Sequence, residues 1–173
     1  MARLSDIQAL AVQNLLGNQS VGKATLAINA AAAATVKTTA AYSYSVGGVW
    51  YTKAALAAQS IAPTHTIHGT VVGGAYVQPV STTVYYTIAL NAAGAVAVVQ
   101  GSFAGQNLAL LNIGTSFVGD GFVPDVPAGY TPVGVIKVVT NGATTFTPGT
   151  TALDAAGLTV SYFDIAFLPS NTL

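Results

Sequence analysis

The feature that most constrains this chain is its scarcity of charge. Only ten of the 173 residues are Lys, Arg or Asp, glutamate is absent, and the formal net charge is zero. An enzyme or a nucleic-acid binder is hard to build from so few ionisable groups, so the surface has to consist of hydroxyls, amides and backbone. Low charge also removes the usual protection against association. The composition therefore predicts a structural β protein whose surface is buried in a symmetric assembly.

Two further absences narrow the function. Cysteine is absent, which excludes disulfides, thiolate zinc sites and a cysteine nucleophile. The most apolar stretch, residues 27–36, is mostly alanine and is far shorter than the ~20 apolar residues that a membrane-spanning helix needs. Arg3 near the N-terminus is followed by Asp6 and Gln8, unlike the apolar core of a signal peptide. We therefore expect a soluble, unexported protein with no cofactor and no nucleic-acid or membrane partner.

Residues 4–16 carry the clearest helical pattern. Ser5 can cap the helix, Gln8 can complete a capping box, and Gly17 suits the left-handed position at its C-terminal end. The candidate interface residues of this helix are its apolar positions Leu4, Ile7, Leu10, Ala11, Leu15 and Leu16. A helix of this length is marginal alone and needs a surface to dock on. Two interpretations stay open: the helix packs on its own β domain or its copies, or it anchors the protein to a larger assembly.

A linker and a change of period follow the helix. Residues 17–23 are rich in Gly, Asn, Gln and Ser, which is typical of a linker. From Thr25 onward, apolar residues alternate with polar ones, as in β-strands. The sequence thus predicts an N-terminal helix and linker over residues 1–23 and a β domain over residues 24–173.

Two hairpins are predicted from turn chemistry. The β-rich runs 35–44 and 49–55 flank Val46-Gly47-Gly48, where glycine supplies positive φ. Tyr42 and Tyr44 share one face of the first run. Trp50 is expected to pack against cross-strand neighbours rather than bind a ligand.

The second hairpin joins residues 84–90 to 95–99 through Asn91-Ala92-Ala93-Gly94. The same type of turn returns as Asp154-Ala155-Ala156-Gly157 before a strand over residues 158–167. In both turns the Asn or Asp side chain is expected to bond its own turn backbone.

Proline and glycine divide the rest of the chain. The prolines of residues 125–132 predict a crossing that is not a central strand, because proline lacks the ladder donor. A strand is predicted over residues 133–139, followed by an Asn141-Gly142 turn and a short strand over 144–147. Residues 101–122 are expected to form a long loop or an arm. Many short strands with turn signals between them indicate an antiparallel β-sandwich or jelly-roll, expected as a homotrimer.

Residues for catalysis or metal binding are sparse. His65 and His68 are three apart in a β-rich region, which places them on opposite faces of an extended strand and argues against joint metal binding. The spacing of the aspartates suggests neither a glycosidase nor a calcium site: Asp120, Asp125, Asp154 and Asp164. No Gly-x-Ser-x-Gly or phosphate-binding motif occurs. We expect no enzymatic activity and no bound metal.

Three phrases of the sequence resemble those of a known class of protein. They are Lys37-Thr38-Thr39 with the segment from Tyr42-Ser43-Tyr44 through Gly47-Gly48-Val49-Trp50 to Ala55, the segment from Tyr86-Thr87-Ile88 to Ala93-Gly94, and the segment from Val126-Pro127-Ala128-Gly129-Tyr130 through Val133-Gly134-Val135 and Phe146-Thr147-Pro148-Gly149 to Asp154. These segments resemble segments of small virion structural proteins of tailed bacteriophages. The resemblance follows the same order along the chain and spans roughly residues 25–168.

This resemblance implies a capsid decoration (cement) protein or a head-fibre protein, trimeric and without enzymatic activity. A decoration protein would bind the major capsid protein or other virion proteins on the capsid exterior, after synthesis in the host cytoplasm. A fibre protein would bind a host surface glycan through loops such as 64–80 or 101–122. A bacterial surface or pilus-like module is a third alternative, against which the lack of an export signal counts.

Overall fold

The computed structural model describes residues 17–66, 69–70, 77–105 and 123–166. The chain is mainly β with antiparallel sheets, as predicted, and the described residues contain no helix. The predicted helix over residues 4–16 and its candidate interface residues lie outside this part of the chain. They stay a prediction.

Thirteen strands form in the described residues: β1 Gln19–Val21, β2 Leu26–Ile28, β3 Thr35–Thr38, β4 Tyr42–Val46, β5 Val49–Lys53, β6 Gln59–Ser60, β7 His65–Thr66, β8 Gly69–Thr70, β9 Thr82–Asn91, β10 Val96–Gln100, β11 Ala104–Gly105, β12 Tyr130–Thr140 and β13 Leu158–Asp164. They make one large and two small sheets. The large sheet has the order β13-β12-β9-β10-β7-β8, with β11 also paired to β9. The small sheets have the orders β1-β4-β5 and β2-β3-β6. Every pairing is antiparallel except that of β10 with β7.

A single apolar core joins the three sheets. Alternate residues of β9 point into it, because side chains of a strand alternate between its two faces. The large sheet contributes Val84, Tyr86, Ile88, Leu90, Val98, Ile136 and Val138, and the small sheets contribute Leu26, Val36, Tyr42 and Tyr44. Both small sheets thus pack on the same face of the large sheet, in a sandwich-like arrangement.

Close contact between layers explains one glycine. A Cβ atom at Gly134 on β12 would lie 3.0 Å from Leu26 Cδ2 on β2 and 3.2 Å from the Phe163 carbonyl oxygen on β13. A larger residue would therefore push the small sheet or the neighbouring strand away.

The proline-rich crossing is shorter than predicted. Strand β12 starts at Tyr130, so the predicted start of this strand at Val133 is wrong, and Tyr130, Thr131 and Pro132 belong to the strand. Pro132 lies opposite Ala89, and the register shifts between Pro132 and Gly134. Since β13 pairs with β12 only from Gly134 onward, proline sits at an irregular position with β9 as its one strand neighbour.

Residues 17–23 are not the linker that was predicted. Gln19–Val21 form β1, which pairs with β4 in the register Gln19↔Ser45. The Gly17 carbonyl accepts a hydrogen bond from Gly48 N at 2.8 Å, and Asn18 Oδ1 accepts one from Gly47 N at 2.7 Å. The small polar residues of this segment form a strand and bond a turn. Their local composition is the same as that of a linker, so composition alone does not distinguish the two structures.

The hairpin predictions are confirmed for β4–β5 and β9–β10. The single run predicted over residues 35–44 is instead two strands, β3 and β4, in different small sheets. Residues 144–147 form no strand, and Phe146 makes an isolated bridge to Gln78. The final strand ends at Asp164 rather than at residue 167.

The two similar turns differ in what their first side chain binds. Asn91 Oδ1 accepts hydrogen bonds from Ala93 N and Ala95 N within its own turn, as predicted. The Asp154 carboxylate instead accepts from Ala32 N, at 2.9 and 3.1 Å. For Asp154 the prediction was wrong because a distant loop supplies the donor.

Candidate interaction surface

The β4–β5 hairpin carries the most exposed apolar side chains of a regular element. Its two-residue turn has Gly47 at φ 59° and Gly48 at φ 81°. Both values lie in the left-handed region that a type I′ turn requires and that glycine enters without a steric penalty. The turn sets Val46 opposite Val49, with the following residues of β5 paired in step.

The inner face of this hairpin is held firmly. Tyr44 is buried, its ring centroid lies 5.6 Å from that of Tyr51, and its hydroxyl donates to the Asn91 carbonyl at 2.9 Å. Burial raises the pKa of Tyr44, and the neighbouring Tyr51 raises it further. These contacts attach the hairpin to the turn between β9 and β10.

The outer face and the turn end of the hairpin are open. Trp50 on the outer face is 59% exposed, and Val49, which lies beside the turn on the same face as Tyr51, is 55% exposed. Trp50 lies opposite Ser45, whose hydroxyl accepts from Gln19 N at 3.1 Å. Its cross-strand partner is therefore a small residue already bonded to β1, and more than half of the Trp50 surface stays open; the predicted packing of Trp50 against cross-strand neighbours stays a prediction for the rest.

The backbone of β5 is open on the side away from β4. In an antiparallel pair, residues bonded to the neighbour alternate with residues whose N–H and C=O groups point the other way. A two-residue turn closes with a bonded pair, here Val46 and Val49, so Trp50 and Thr52 direct their backbone groups outward. Among the described residues, β5 pairs with β4 alone.

Lys53, the one charged residue of β5, does not shield this edge. Its Nζ donates to the Gly94 carbonyl at 2.8 Å, in the turn between β9 and β10. Lysine on an edge strand normally discourages pairing with another chain, as do proline and β-bulges. β5 contains neither proline nor a bulge.

Other charged side chains also hold the fold together. Asp164 Oδ1 accepts from Leu26 N at 3.0 Å, which joins β13 to β2. Lys137 Nζ lies 5.6 Å from the centroid of the Tyr85 ring. With Asp154 on Ala32 and Lys53 on Gly94, these groups are spread over the molecule rather than collected in one cleft.

Of the two histidines, His65 lies in the described part of the chain. Thr64 Oγ1 and His65 Nδ1 are 2.9 Å apart, and the His65 ring lies 6.1 Å from that of Tyr130. His68 and Asp120 lie outside the described residues. Within the described part of the chain, no group of three or more His, Asp or Glu side chains is arranged to hold a metal ion.

A buried polar network lies beneath the large sheet, and the sequence analysis missed it. Gln78 is fully buried and donates through Nε2 to the carbonyls of Thr82 and Val138, each at 3.0 Å. The Tyr86 hydroxyl donates to Gln78 Oε1 at 3.2 Å and accepts from Gln100 Nε2 at 3.4 Å. Burial raises the pKa of Tyr86, against a smaller opposing effect of the Gln100 bond. No local sequence motif predicts this network, because its residues are separated in the sequence and come into contact only when the strands pair.

Comparisons with protein families, with curated proteins and with solved structures found no match. Across the ranges that the structure describes, no helix has the length and apolar character needed to cross a membrane.

Proposed function

We propose that this protein is a structural component of a tailed-bacteriophage virion, a capsid decoration protein that binds the capsid exterior as a homotrimer. Its partners are its own copies and the major capsid protein. Many copies of a modest interface stabilise a head under internal pressure through multivalency. The protein is made in the host cytoplasm and functions without a cofactor or catalysis.

The position of the resembling phrases carries this proposal. Residues 42–55 include β4 and β5, residues 86–94 lie on β9 and its turn, and residues 126–154 include β12. All three phrases thus supply strands of the common core, so the resemblance covers the part of the chain that builds the sandwich-like fold. The structural use of Asp154, Asp164 and Lys53 also favours a structural role.

The attachment site is proposed at the apolar side of the predicted helix, which includes Leu10. Deletion of residues 1–16 tests it, since a longer deletion would remove β1 and destabilise the fold for a separate reason. We expect the shortened chain to keep the circular dichroism spectrum of a β protein and its thermal unfolding transition. We expect it to lose binding to capsids that lack the protein.

A matched pair of point variants refines the test. Leu10→Asp places a carboxylate in the apolar stripe and is expected to abolish capsid binding, whereas Gln13→Asp on the polar side is expected to retain it. Full decoration of capsids by the chain lacking residues 1–16 would refute the proposed attachment site.

A head-fibre or tail-fibre protein with a glycan-binding β head is the second candidate. The observation that favours it is that exposed Trp50 lies on the same face of β5 as exposed Thr52, because an aromatic ring near polar groups suits a sugar ring. Copy number per virion separates the two functions. A decoration protein is expected in far more copies than a fibre, and quantitative mass spectrometry of purified virions measures the ratio to the major capsid protein.

A further inference from the structure

We propose that β5 is a self-association edge, at which two copies of this chain pair antiparallel about a two-fold axis beside Tyr51. The small sheet β1-β4-β5 then joins the same sheet of the second copy into one continuous six-stranded sheet with the order β1-β4-β5-β5-β4-β1. This inference rests on the geometry of β5 and holds whether or not the protein belongs to a virion. The two-fold contact through β5 uses a different surface from the three-fold contact of the proposed homotrimer. It therefore joins two single chains if the protein is a monomer, and two trimers if the protein is a trimer.

The first argument is that β5 is more open than the edge strands β13 and β1. β13 also exposes an apolar residue, Phe163 at 49%, but it is tied to a small sheet through the bond from Leu26 N to Asp164. Strand β1 has only three residues. β5 has five residues, all of types common in strands apart from Lys53, and its apolar side chains remain exposed. An unguarded edge of this kind is a template for another strand.

The second argument selects a copy of the same chain as the occupant. The outward backbone groups belong to Trp50 and Thr52, which flank Tyr51 symmetrically. When Tyr51 meets Tyr51 of the second copy, Trp50 lies opposite Thr52 of that copy, and Thr52 lies opposite its Trp50. Each such pair exchanges two backbone hydrogen bonds, and the strand therefore complements itself in this register.

The third argument is electrostatic and steric. An aromatic residue opposite a β-branched one is a favourable cross-strand pair. Neither Val49, Trp50 nor Thr52 carries charge, and the Lys53 ammonium is bonded to Gly94, so two copies approach without like-charge repulsion at the edge. The interface is small and its affinity is accordingly modest.

The test uses the full chain in sedimentation velocity over a dilution series. We expect an association that doubles the mass of the smallest species as concentration rises. Thr52→Asp places an acidic group opposite Trp50 and is expected to weaken this step by at least about tenfold, equal to ~1.4 kcal/mol. Thr159→Asp makes the same change at an exposed position of β13 and is expected to leave the step unchanged.

The register is tested by mixing variants. Chains with Trp50→Lys and chains with Thr52→Asp each associate weakly alone. In the proposed register, lysine of one chain faces aspartate of the other, while the remaining Thr52 and Trp50 still face each other. The mixture is therefore expected to regain the doubled mass.

Cysteine variants give an independent readout that does not depend on affinity. Because the chain has no native cysteine, Trp50→Cys chains mixed with Thr52→Cys chains are expected to form a mixed disulfide in preference to either symmetric one. A wild-type chain that never doubles its mass would overturn the proposal. So would a Thr52→Asp chain that associates like wild type, or disulfides that form without preference for the mixed pair.

Discussion

The hairpins β9–β10 and β4–β5 have equally clear turns in the sequence but opposite surroundings. Ile88 and Val98, paired across β9–β10, are 0% and 1% exposed, whereas Val49 and Trp50 on β5 are more than half exposed. β9 has a strand on each side and buried residues on both faces, while β5 has one neighbour among the described strands. Turn chemistry thus sets which strands pair, and the position in the sheet sets which side chains are buried. The core hairpin contributes mainly to stability, whereas the edge hairpin leaves a strand edge open, at which we propose that a second copy pairs.

The largest expected difference between the hairpins is in the cost of losing an apolar side chain. Ile88→Ala is expected to reduce the free energy of unfolding by about 3–4 kcal/mol, because it leaves a cavity in a closely packed core. Val49→Ala is expected to cost less than about 1 kcal/mol, since that side chain is already more than half exposed. Urea unfolding measures both values. Similar losses at the two positions would contradict the distinction between a core hairpin and an edge hairpin.

The buried face of the edge hairpin is expected to make stability depend on alkaline pH. Burial raises the pKa of Tyr42 from 10.0 to about 12, and Tyr44 adds to this effect. Because the folded pKa lies above the ordinary value, the stabilising contribution is complete below pH 10 and is lost as the pH rises toward 12. We expect Tyr42 alone to contribute a loss of about 2 kcal/mol over this interval. Unfolding measured at several pH values should show a smaller loss for Tyr42→Phe, and an unchanged slope would show that Tyr42 is not the group responsible.

The smallest expected difference concerns two buried tyrosine hydroxyls at neutral pH. The Tyr86 hydroxyl bonds Gln78 and Gln100, so Tyr86→Phe is expected to destabilise the protein by about 1–2 kcal/mol. The Tyr42 hydroxyl is buried without a hydrogen-bond partner in the described structure. Tyr42→Phe is therefore expected to leave stability unchanged or raise it by up to about 1 kcal/mol. Calorimetry of both variants checks the signs, and a clear loss in Tyr42→Phe would reveal a partner for that hydroxyl.

Local chemistry made part of the fold predictable. Gly47-Gly48 and the Asn91 turn were recognised because positive φ and an Asn side chain act within a few residues. The membership of residues 19–21 in a sheet was not recognised, since their small polar composition also suits a linker. The bond of Asp154 spans 122 residues to Ala32, and no local pattern encodes it. Pro132 was misjudged because its effect depends on where β13 begins.

The interaction surface was even less accessible from the sequence. The run Val49-Trp50-Tyr51 has the composition of a core strand, and only the sheet order shows that β5 lies at an edge. The scarcity of charge predicts association, which stays a prediction, and it does not indicate which strand is open. The predicted attachment residues, from Leu4 to Leu16, remain a prediction that the capsid-binding variants test.

The most direct test of whether a second copy pairs at the open edge of β5 is residue-resolved amide hydrogen exchange at low and high protein concentration. At low concentration, the amides of Trp50 and Thr52 should exchange rapidly, while those of Val49 and Tyr51, bonded to β4, and of Ile88 in the core stay protected. At high concentration, Trp50 and Thr52 should become protected as well. If these two amides are equally protected at both concentrations, or exchange rapidly at both, the edge is either closed within one chain or left unpaired, and the account is wrong.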